Sequence, residues 1–287
     1  MGIDRIFVAG AGLMGHGIAQ VHAAIGAEVT VYEPDLGRAE AGLERIAGNL
    51  QRAVDKGKLS TEDRTATLAR LTPTDDLAAA DDADLVIEAV FEDIDVKQAL
   101  WRELDGIARA GAIFASNTSS IAIHRLADAT RPARRPAFIG MHFFSPVPVM
   151  PLVELVRSAD TDGATVAAVT ELAGRLGKQV IVSADRPGFI VNRILMPFLA
   201  DAMRAFEQHV GTAEDIDTGA RVGLNHPMGP LELADFIGLD VCLGIMRVLH
   251  DGLGLEHLRP PHVLEELVRA GHLGQKTGQG FYTYPRG

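Results

Sequence analysis

Cysteine is nearly absent from this sequence, which has one, Cys242, in 287 residues. A lone thiol cannot close an intrachain disulfide or build a cysteine metal cluster, so we expect a small buried side chain, no metal site and a reducing compartment. Long apolar runs are also missing. The stretch 141–153 is interrupted by three prolines and falls short of the about 18 residues that span a membrane. The first apolar segment starts at residue 6, too early for a signal peptide to precede it, so we expect a cytoplasmic protein with no membrane partner.

Positive charge is scarce as well. Lys and Arg number 27 against 38 Asp and Glu, which gives a formal net charge of −11. A surface of this sign repels phosphate backbones and anionic lipids, so we expect no nucleic acid as a partner. A small polyanionic ligand is still compatible, because a few local lysines or a helix N-terminus can hold one.

Strand-like and helix-like patterns alternate along the first part of the chain. Runs typical of buried strands lie at 6–9, 28–33, 84–90, 112–115, 138–143, 152–156 and 179–182, and helical patterns at 14–25, 38–56, 96–107 and 165–176. Continuous apolar strands separated by helices indicate a parallel sheet that is covered on both faces. Only helical spacing follows, at 189–207, 213–221, 231–249 and 261–270. The sequence therefore predicts an α/β domain over residues 1–185 and an all-α domain over residues 186–287.

A glycine-rich loop follows the first predicted strand and opens a helix. Gly10, Gly12 and Gly15 match the pattern G-x-G-x-x-G. In a dinucleotide site the first glycine permits a tight turn, the second lets the pyrophosphate approach the backbone, and the third brings the helix close to the sheet. The backbone N–H groups at the start of the helix, around Leu13 and Met14, then bind the phosphates.

An acidic residue, Glu33, ends the strand after the loop, about 20 residues further on, as a dinucleotide site requires. Its carboxylate can accept hydrogen bonds from both hydroxyl groups of a ribose, and its charge repels a 2′-phosphate. NAD is therefore favoured over NADP, although Arg38 could weaken that preference if it swings toward the adenosine end. Together these features predict a Rossmann-like dinucleotide-binding domain.

Seven ordered motifs cover the chain nearly from end to end, at 10–20, 86–92 with Lys97, 116–120, 141–148, 187–193, 226–230 and 276–282. Together they resemble the L-3-hydroxyacyl-CoA dehydrogenases, including the bacterial 3-hydroxybutyryl-CoA dehydrogenases. The resemblance implies a Rossmann-like domain followed by a helical domain that forms a homodimer. It also implies that NAD and an acyl-CoA are bound and that L-3-hydroxyacyl-CoA and 3-oxoacyl-CoA are interconverted. We expect a short-chain substrate, such as 3-hydroxybutyryl-CoA or acetoacetyl-CoA.

The resemblance also implies catalytic roles for four residues. His142 matches the catalytic histidine of the family, and Glu154 matches its partner carboxylate. An imidazole can take the hydroxyl proton near neutral pH, and a carboxylate on its other nitrogen fixes the tautomer and stabilises the imidazolium. Ser119 and Asn192 match polar residues that contact the substrate. From the residues alone, the first two could be a polar pair in the core, Ser119 a helix N-cap, and Asn192 a first-turn helix residue.

Other positions match residues that hold the cofactor. Ser119 also lies where the family contacts NAD, and Glu92, Lys97 and Lys276 align with residues around its nicotinamide side. From the residues alone, these charged side chains could equally be solvated. Ser145 stands where the family commonly has Asn, which retains a hydrogen-bonding group but shortens it.

Two positions in the second predicted helix match contacts to CoA. Asn49 stands where the family has a serine, and Lys56 matches its lysine. Lys56 and Lys58 would offer cations to the phosphates of CoA. The resemblance also adds Ser119 to this substrate site. On the sequence alone these lysines could be the solvated end of a helix.

Two other functions stay open at this point. Dehydrogenases of sugar acids such as L-gulonate use the same dinucleotide domain and a similar His and Glu pair, but the sequence His142-Phe143-Phe144 and Lys56 favour a CoA thioester. A catalytically idle NAD-binding protein with a structural role is the second alternative. The intact His142 and Glu154 argue against it, because a structural role does not need that pair.

Overall fold

An eight-stranded sheet forms the centre of the first of two structural units. Its strands are β1 (Arg5–Ala9), β2 (Glu28–Tyr32), β3 (Leu71–Thr74), β4 (Leu85–Glu88), β5 (Ile113–Ser116), β6 (Phe138–Phe143), β7 (Leu152–Arg157) and β8 (Gln179–Ala184). The spatial order is β3-β2-β1-β4-β5-β6-β7-β8. This computed structural model describes residues 2–285. The order reverses between β1 and β4, as in a Rossmann-like fold, which confirms the predicted fold class.

The described part of the first unit has six helices. They are α1 (Leu13–Ala24), α2 (Leu36–Asp55), α3 (Thr61–Leu68), α4 (Ile94–Ile107), α5 (Ile123–Ala127) and α6 (Gly163–Arg175). Four of them begin after an Asp or Ser whose side chain accepts a backbone N–H of the first turn, which stabilises a helix by about 1 kcal/mol. These N-cap residues are Asp35, Ser60, Asp93 and Asp162. Helix α1 has no such cap.

Two elements of this unit were not predicted, and one strand direction differs from the expectation. Helix α3 and strand β3 are short, and β3 contains Pro73, which fits its place at the edge of the sheet. Strand β7 runs antiparallel to β6. The connection 144–151 is too short for the crossover that two parallel strands need.

A buried aromatic cluster holds α4 against the sheet. The ring of Trp101 stacks on Phe114 with 4.8 Å between centroids and meets Phe138 edge-on at 4.9 Å. The guanidinium of Arg134 lies 4.5 Å from the centroid of Phe114 and forms an ion pair with the buried Asp105. Burying each ring contributes about 1.5–3 kcal/mol. The cluster thereby fixes the helix whose first turn carries Lys97.

The second unit is helical, as predicted, and the structure divides the two units between Arg186 and Pro187. Its helices are α7 (Val191–Glu207), α8 (Ala213–Thr218), α9 (Pro230–Ile237), α10 (Leu239–Leu253) and α11 (His262–Arg269). The single helix expected over 231–249 is wrong, because the chain breaks at Gly238, whose φ is +105°. Cys242 is buried in this core, and burial raises the pKa of its thiol to about 12. Among residues 2–285, no helix combines the length and the apolar character needed to cross a bilayer.

We predict that His22 makes the first unit sensitive to acid. Its side chain is fully buried in α1, and its Nδ1 donates to the carbonyl oxygen of Ile18 at 2.8 Å. Burial lowers the pKa of His22 to about 4 from 6.5 in an unfolded chain. Between these values the unfolded state binds more protons, so stability should fall as the pH drops from 6.5 to 4, by about 3 kcal/mol.

Urea unfolding followed at pH 7 and pH 4 measures this contribution. His22→Gln cannot titrate and should lose about 3 kcal/mol less than the parent between the two pH values. His257→Gln changes an exposed histidine and should behave like the parent. Equal losses in the parent and in His22→Gln would mean that His22 does not carry this pH dependence.

Candidate active site

The glycine loop lies between β1 and α1, where the strand order reverses. Gly10 has a φ of +104°, and a Cβ at this position would lie 2.6 Å from the carbonyl oxygen of Ala89. A Cβ at Gly15 would overlap the carbonyl oxygen of Gly10, so the loop itself is the chief reason for a glycine here. The sequence analysis had instead expected the close approach of the helix to the sheet to require it. A Cβ at Gly12 would meet no described atom within 4 Å. The backbone at Gly12 is therefore open to a ligand.

Helix α1 begins directly after Gly12, and this start suits an anion. Gly12 supplies no side-chain cap, and the first turn contains no acidic residue. The backbone N–H groups of Leu13, Met14 and Gly15 precede the first intrahelical hydrogen bond, which His16 N donates to Gly12 O at 3.1 Å. Unpaired N–H groups and the helix dipole together favour a phosphate at such an end. The loop and the helix start therefore fit the pyrophosphate of NAD.

Glu33 lies beside this loop, immediately after β2. Its Oε1 accepts a hydrogen bond from the backbone N–H of Ala11 at 2.7 Å, which fixes the carboxylate next to the glycines. The guanidinium of Arg38 is 3.8 Å from Oε2 and is otherwise exposed. The fixed carboxylate presents a negative charge where the ribose of a dinucleotide is expected.

His142 and Glu154 form a buried pair across neighbouring strands. The antiparallel register of β6 and β7 places them directly opposite each other, and His142 Nδ1 is 3.1 Å from Glu154 Oε2. Glu154 is completely buried, and His142 is 4% exposed. Because a carboxylate only accepts, Nδ1 donates the proton in this contact, and Nε2 becomes the nitrogen that can accept one. The pair can therefore work as a general base with its tautomer fixed.

Ser119 adjoins this pair from the turn after β5. Its Oγ is 3.1 Å from His142 Nε2. The alternative that Ser119 caps a helix is wrong, because α5 has its N-cap at Ala122. Asn117, which the sequence analysis did not single out, accepts a hydrogen bond from Phe143 N at 2.9 Å and ties the turn to β6.

A buried ion pair lies at the end of β4. Lys97 is 1% exposed, and its Nζ lies 2.5 Å from Glu88 Oε1 and 3.1 Å from Glu92 Oε2. A solvated role for Lys97 is therefore wrong. Partial burial of Glu92 opposes ionisation, but the Lys97 ammonium and the hydroxyl groups of Thr118 and Ser120 hold the pKa of Glu92 below its usual value. Sequence analysis missed Glu88, although a charged residue in an otherwise apolar strand was a usable signal.

The remaining expected contacts of the first unit lie outside the buried group formed by His142, Glu154, Lys97 and Glu88. Ser145 is exposed, two residues after β6. Asn49 lies on α2, where its Nδ2 donates to Gln20 Oε1 at 3.3 Å. Lys56 and Lys58 are exposed just beyond the end of α2.

Two expected contacts belong to the second unit. Asn192 is a buried residue in the first turn of α7. Lys276 lies in a short turn, and its Nζ is 2.7 Å from Asp240 Oδ2 at the start of α10. Within residues 2–285, no three His, Cys, Asp or Glu side chains come together as metal ligands.

A dinucleotide loop with its acidic residue, on the same unit as a buried His and Glu pair, defines a nicotinamide-dependent dehydrogenase. Residues 5–186 match the family model for the 3-hydroxyacyl-CoA dehydrogenase NAD binding domain, and residues 188–284 match that of the C-terminal domain. The chain therefore belongs to the 3-hydroxyacyl-CoA dehydrogenase family and is an NAD-dependent oxidoreductase. This confirms the resemblance and the expected cofactor.

Individual relatives are similar to this chain over nearly its full length. The chain is 49% identical over 283 residues to the 3-hydroxybutyryl-CoA dehydrogenase of Bradyrhizobium diazoefficiens, covering 98% of this chain and 96% of the relative. It is 40% identical over 295 residues to the human mitochondrial hydroxyacyl-coenzyme A dehydrogenase, covering 98% of this chain and 91% of the relative. A crystal structure of the (S)-3-hydroxybutyryl-CoA dehydrogenase from Ralstonia eutropha superposes with a TM-score of 0.96 at 43% identity, covering 99% of this chain and 100% of that one.

We predict that Glu33 sets the preference for NADH over NADPH. A 2′-phosphate beside this carboxylate should cost about 1–2 kcal/mol, so kcat/KM for NADH should be at least about tenfold higher. Glu33→Gln retains an acceptor for Ala11 N but removes the charge, and it should reduce the ratio to about threefold or less. Glu40→Gln, an exposed residue of α2, controls for net charge. An unchanged ratio in Glu33→Gln, or equal use of NADPH by the parent, would contradict this assignment.

Proposed function

We propose that this dehydrogenase acts on short-chain substrates and interconverts 3-hydroxybutyryl-CoA and acetoacetyl-CoA. The observation that carries the proposal is the buried pair of His142 and Glu154. The Nε2 atom of His142, on the side of the ring away from Glu154, contacts Ser119 Oγ. The names of the bacterial relatives support the short acyl chain.

The chemistry divides between the cofactor and the protein. Bound NAD supplies the two-electron acceptor for the oxidation of C3. His142 Nε2 takes the proton of the 3-hydroxyl group, and Glu154 stabilises the resulting imidazolium through Nδ1. Ser119 Oγ, beside Nε2, orients the same hydroxyl group. In the reduction of acetoacetyl-CoA the imidazolium returns the proton to the 3-oxygen.

The other expected contacts complete this proposal. The glycine loop and the start of α1 hold the pyrophosphate, and Glu33 binds the ribose. On the nicotinamide side we place Glu92, Lys97, Ser119, Ser145 and Lys276, and on the acyl-CoA we place Asn49, Lys56, Ser119 and Asn192. Residues 1–185 then bind NAD, and residues 186–287 serve the substrate and dimerisation.

We further propose a homodimer in the cytoplasm, where NAD and CoA thioesters are both available. Large apolar side chains are exposed on the second unit, which supports an interface there. They include Ile194, Val210, Val222, Leu224 and Phe236.

One assay separates the possible activities. Purified protein is tested for NADH oxidation with acetoacetyl-CoA and for NAD reduction with L-gulonate. We expect turnover with acetoacetyl-CoA alone. Turnover with L-gulonate instead would assign a sugar-acid dehydrogenase, and no turnover with either substrate would overturn the proposed short-chain substrate.

His142 should control the rate rather than binding, because positive charge develops on its ring only during the reaction. His142→Gln should lose about 10²–10⁴ in kcat, while the Kd for NADH stays within about threefold of the parent. Kinetics with acetoacetyl-CoA and NADH fluorescence titration measure the two effects, and His257→Gln is the control. Activity within about threefold of the parent would rule out His142 as the base.

A further inference from the structure

A continuous chain of polar contacts in the first unit links Glu88 to His142. It passes through Lys97, Glu92 and Ser119. Glu88 itself has no part in the mechanism described above. We propose that Glu88 is a positioning residue for proton transfer at His142: through Lys97 it fixes Glu92, and through Glu92 it fixes the Ser119 hydroxyl against His142 Nε2. The inference rests on the proposed function of His142.

The chain begins at a fully buried carboxylate. Glu88 is 0% exposed, and its Oε1 accepts from Lys97 Nζ at 2.5 Å and from Val90 N at 2.9 Å. Its Oε2 accepts from Ser116 Oγ at 2.7 Å. A buried charge is tolerated only when it is paired and hydrogen-bonded, and both oxygens of Glu88 meet that requirement. Its place at the end of β4 is therefore fixed from three sides.

Lys97 transmits this fixed position to Glu92. Its ammonium group lies between the carboxylates of Glu88 and Glu92 and is almost wholly covered by protein. The backbone of α4 is held in turn by the packing of Trp101 on Phe114. Two carboxylates therefore share one buried cation. The position of Glu92 depends on how close the Lys97 ammonium group lies to each of them.

Glu92 carries the turn that holds Ser119. Its Oε2 faces Lys97, while its Oε1 accepts from Thr118 Oγ1 at 2.5 Å, Ser120 Oγ at 3.0 Å and Ser119 N at 3.1 Å. These three donors come from consecutive residues, so a shift of the carboxylate moves the turn as a whole. Ser119 Oγ, 3.1 Å from His142 Nε2, moves with it.

Removing the charge of Glu88 should therefore disturb His142 at a distance. In Glu88→Gln the side chain keeps its shape, but Glu92 becomes the sole carboxylate facing Lys97, which draws the ammonium toward Glu92. Misplacement of groups around a reacting centre by about 1 Å can cost about 10²-fold in rate. For the smaller shift expected in this variant, we predict a loss of about tenfold in kcat.

Nitrogen NMR of histidine-labelled protein tests the inference in the absence of cofactor. The ring signals of His142 are identified by their loss in His142→Gln. In Glu88→Gln we expect the Nε2 signal of His142 to shift more than that of any other histidine, together with the fall in kcat for acetoacetyl-CoA. A shifted ring signal is a response that a purely structural role of Glu88 would not produce.

Asp84→Asn is the matched control. Asp84 is a partly buried carboxylate at the opposite end of β4 from Glu88, where it accepts from Asp4 N and Arg5 N and pairs with Arg109. Its loss should lower the Tm while leaving the His142 signal in place and kcat within about twofold of the parent. An unmoved His142 signal in Glu88→Gln, or a kcat equal to that of Asp84→Asn, would overturn the proposal.

A second variant covers a failure of Glu88→Gln to fold. The double variant Glu88→Gln with Lys97→Met removes both charges of the buried pair together, so neither charge remains buried without the other. Proteins often tolerate such an exchange. Glu92 then has no buried cation, so the His142 signal must again shift, and an unmoved signal would overturn the proposal. If the parent does not turn over acetoacetyl-CoA, the proposed function fails, whereas the cofactor-free NMR comparison still decides the role of Glu88.

Discussion

The structure depends on the antiparallel pairing of β6 with β7 in a sheet that is otherwise parallel. This register places His142 directly opposite Glu154 on one face of the sheet. Because side chains alternate between faces, a slip of one residue would move the carboxylate to the opposite face and leave the imidazole without its partner. The hydrogen-bonded register of the backbone thus determines which histidine nitrogen faces the site and can receive a proton.

The sheet also explains why the glycine loop and His142 lie in one region of the first unit. The glycine loop follows β1, Glu88 ends β4, and the turn with Ser119 follows β5, so all three lie at the carboxyl edge of adjacent parallel strands. In open α/β sheets this edge, at the reversal of strand order, is where ligands bind. Burying Glu88 and Lys97 there is costly unless both are paired, which makes their positions unusually well defined.

Sequence reasoning succeeded where a pattern is local. The G-x-G-x-x-G loop and the alternation of strands and helices predicted the Rossmann-like unit, and the resemblance identified the family. Prediction from the sequence failed where tertiary geometry determines the limits of an element or the contacts between elements. Strand β3 contains Pro73 and is too short to recognise, and one residue in a left-handed conformation, Gly238, divides an apparently continuous helix. The contact between Lys97 and Glu88 joins a helix to a strand, so spacing along the chain does not reveal it.

The proposed function requires His142 to exchange a proton with the 3-oxygen of a CoA thioester. A crystal structure of the protein with NAD and acetoacetyl-CoA would show whether the two groups meet. We expect the 3-oxygen to lie within hydrogen-bonding distance of His142 Nε2, about 2.6–3.2 Å, with Glu154 still on Nδ1. A 3-oxygen held by a different proton donor, with His142 Nε2 out of reach, would mean that His142 is not the base.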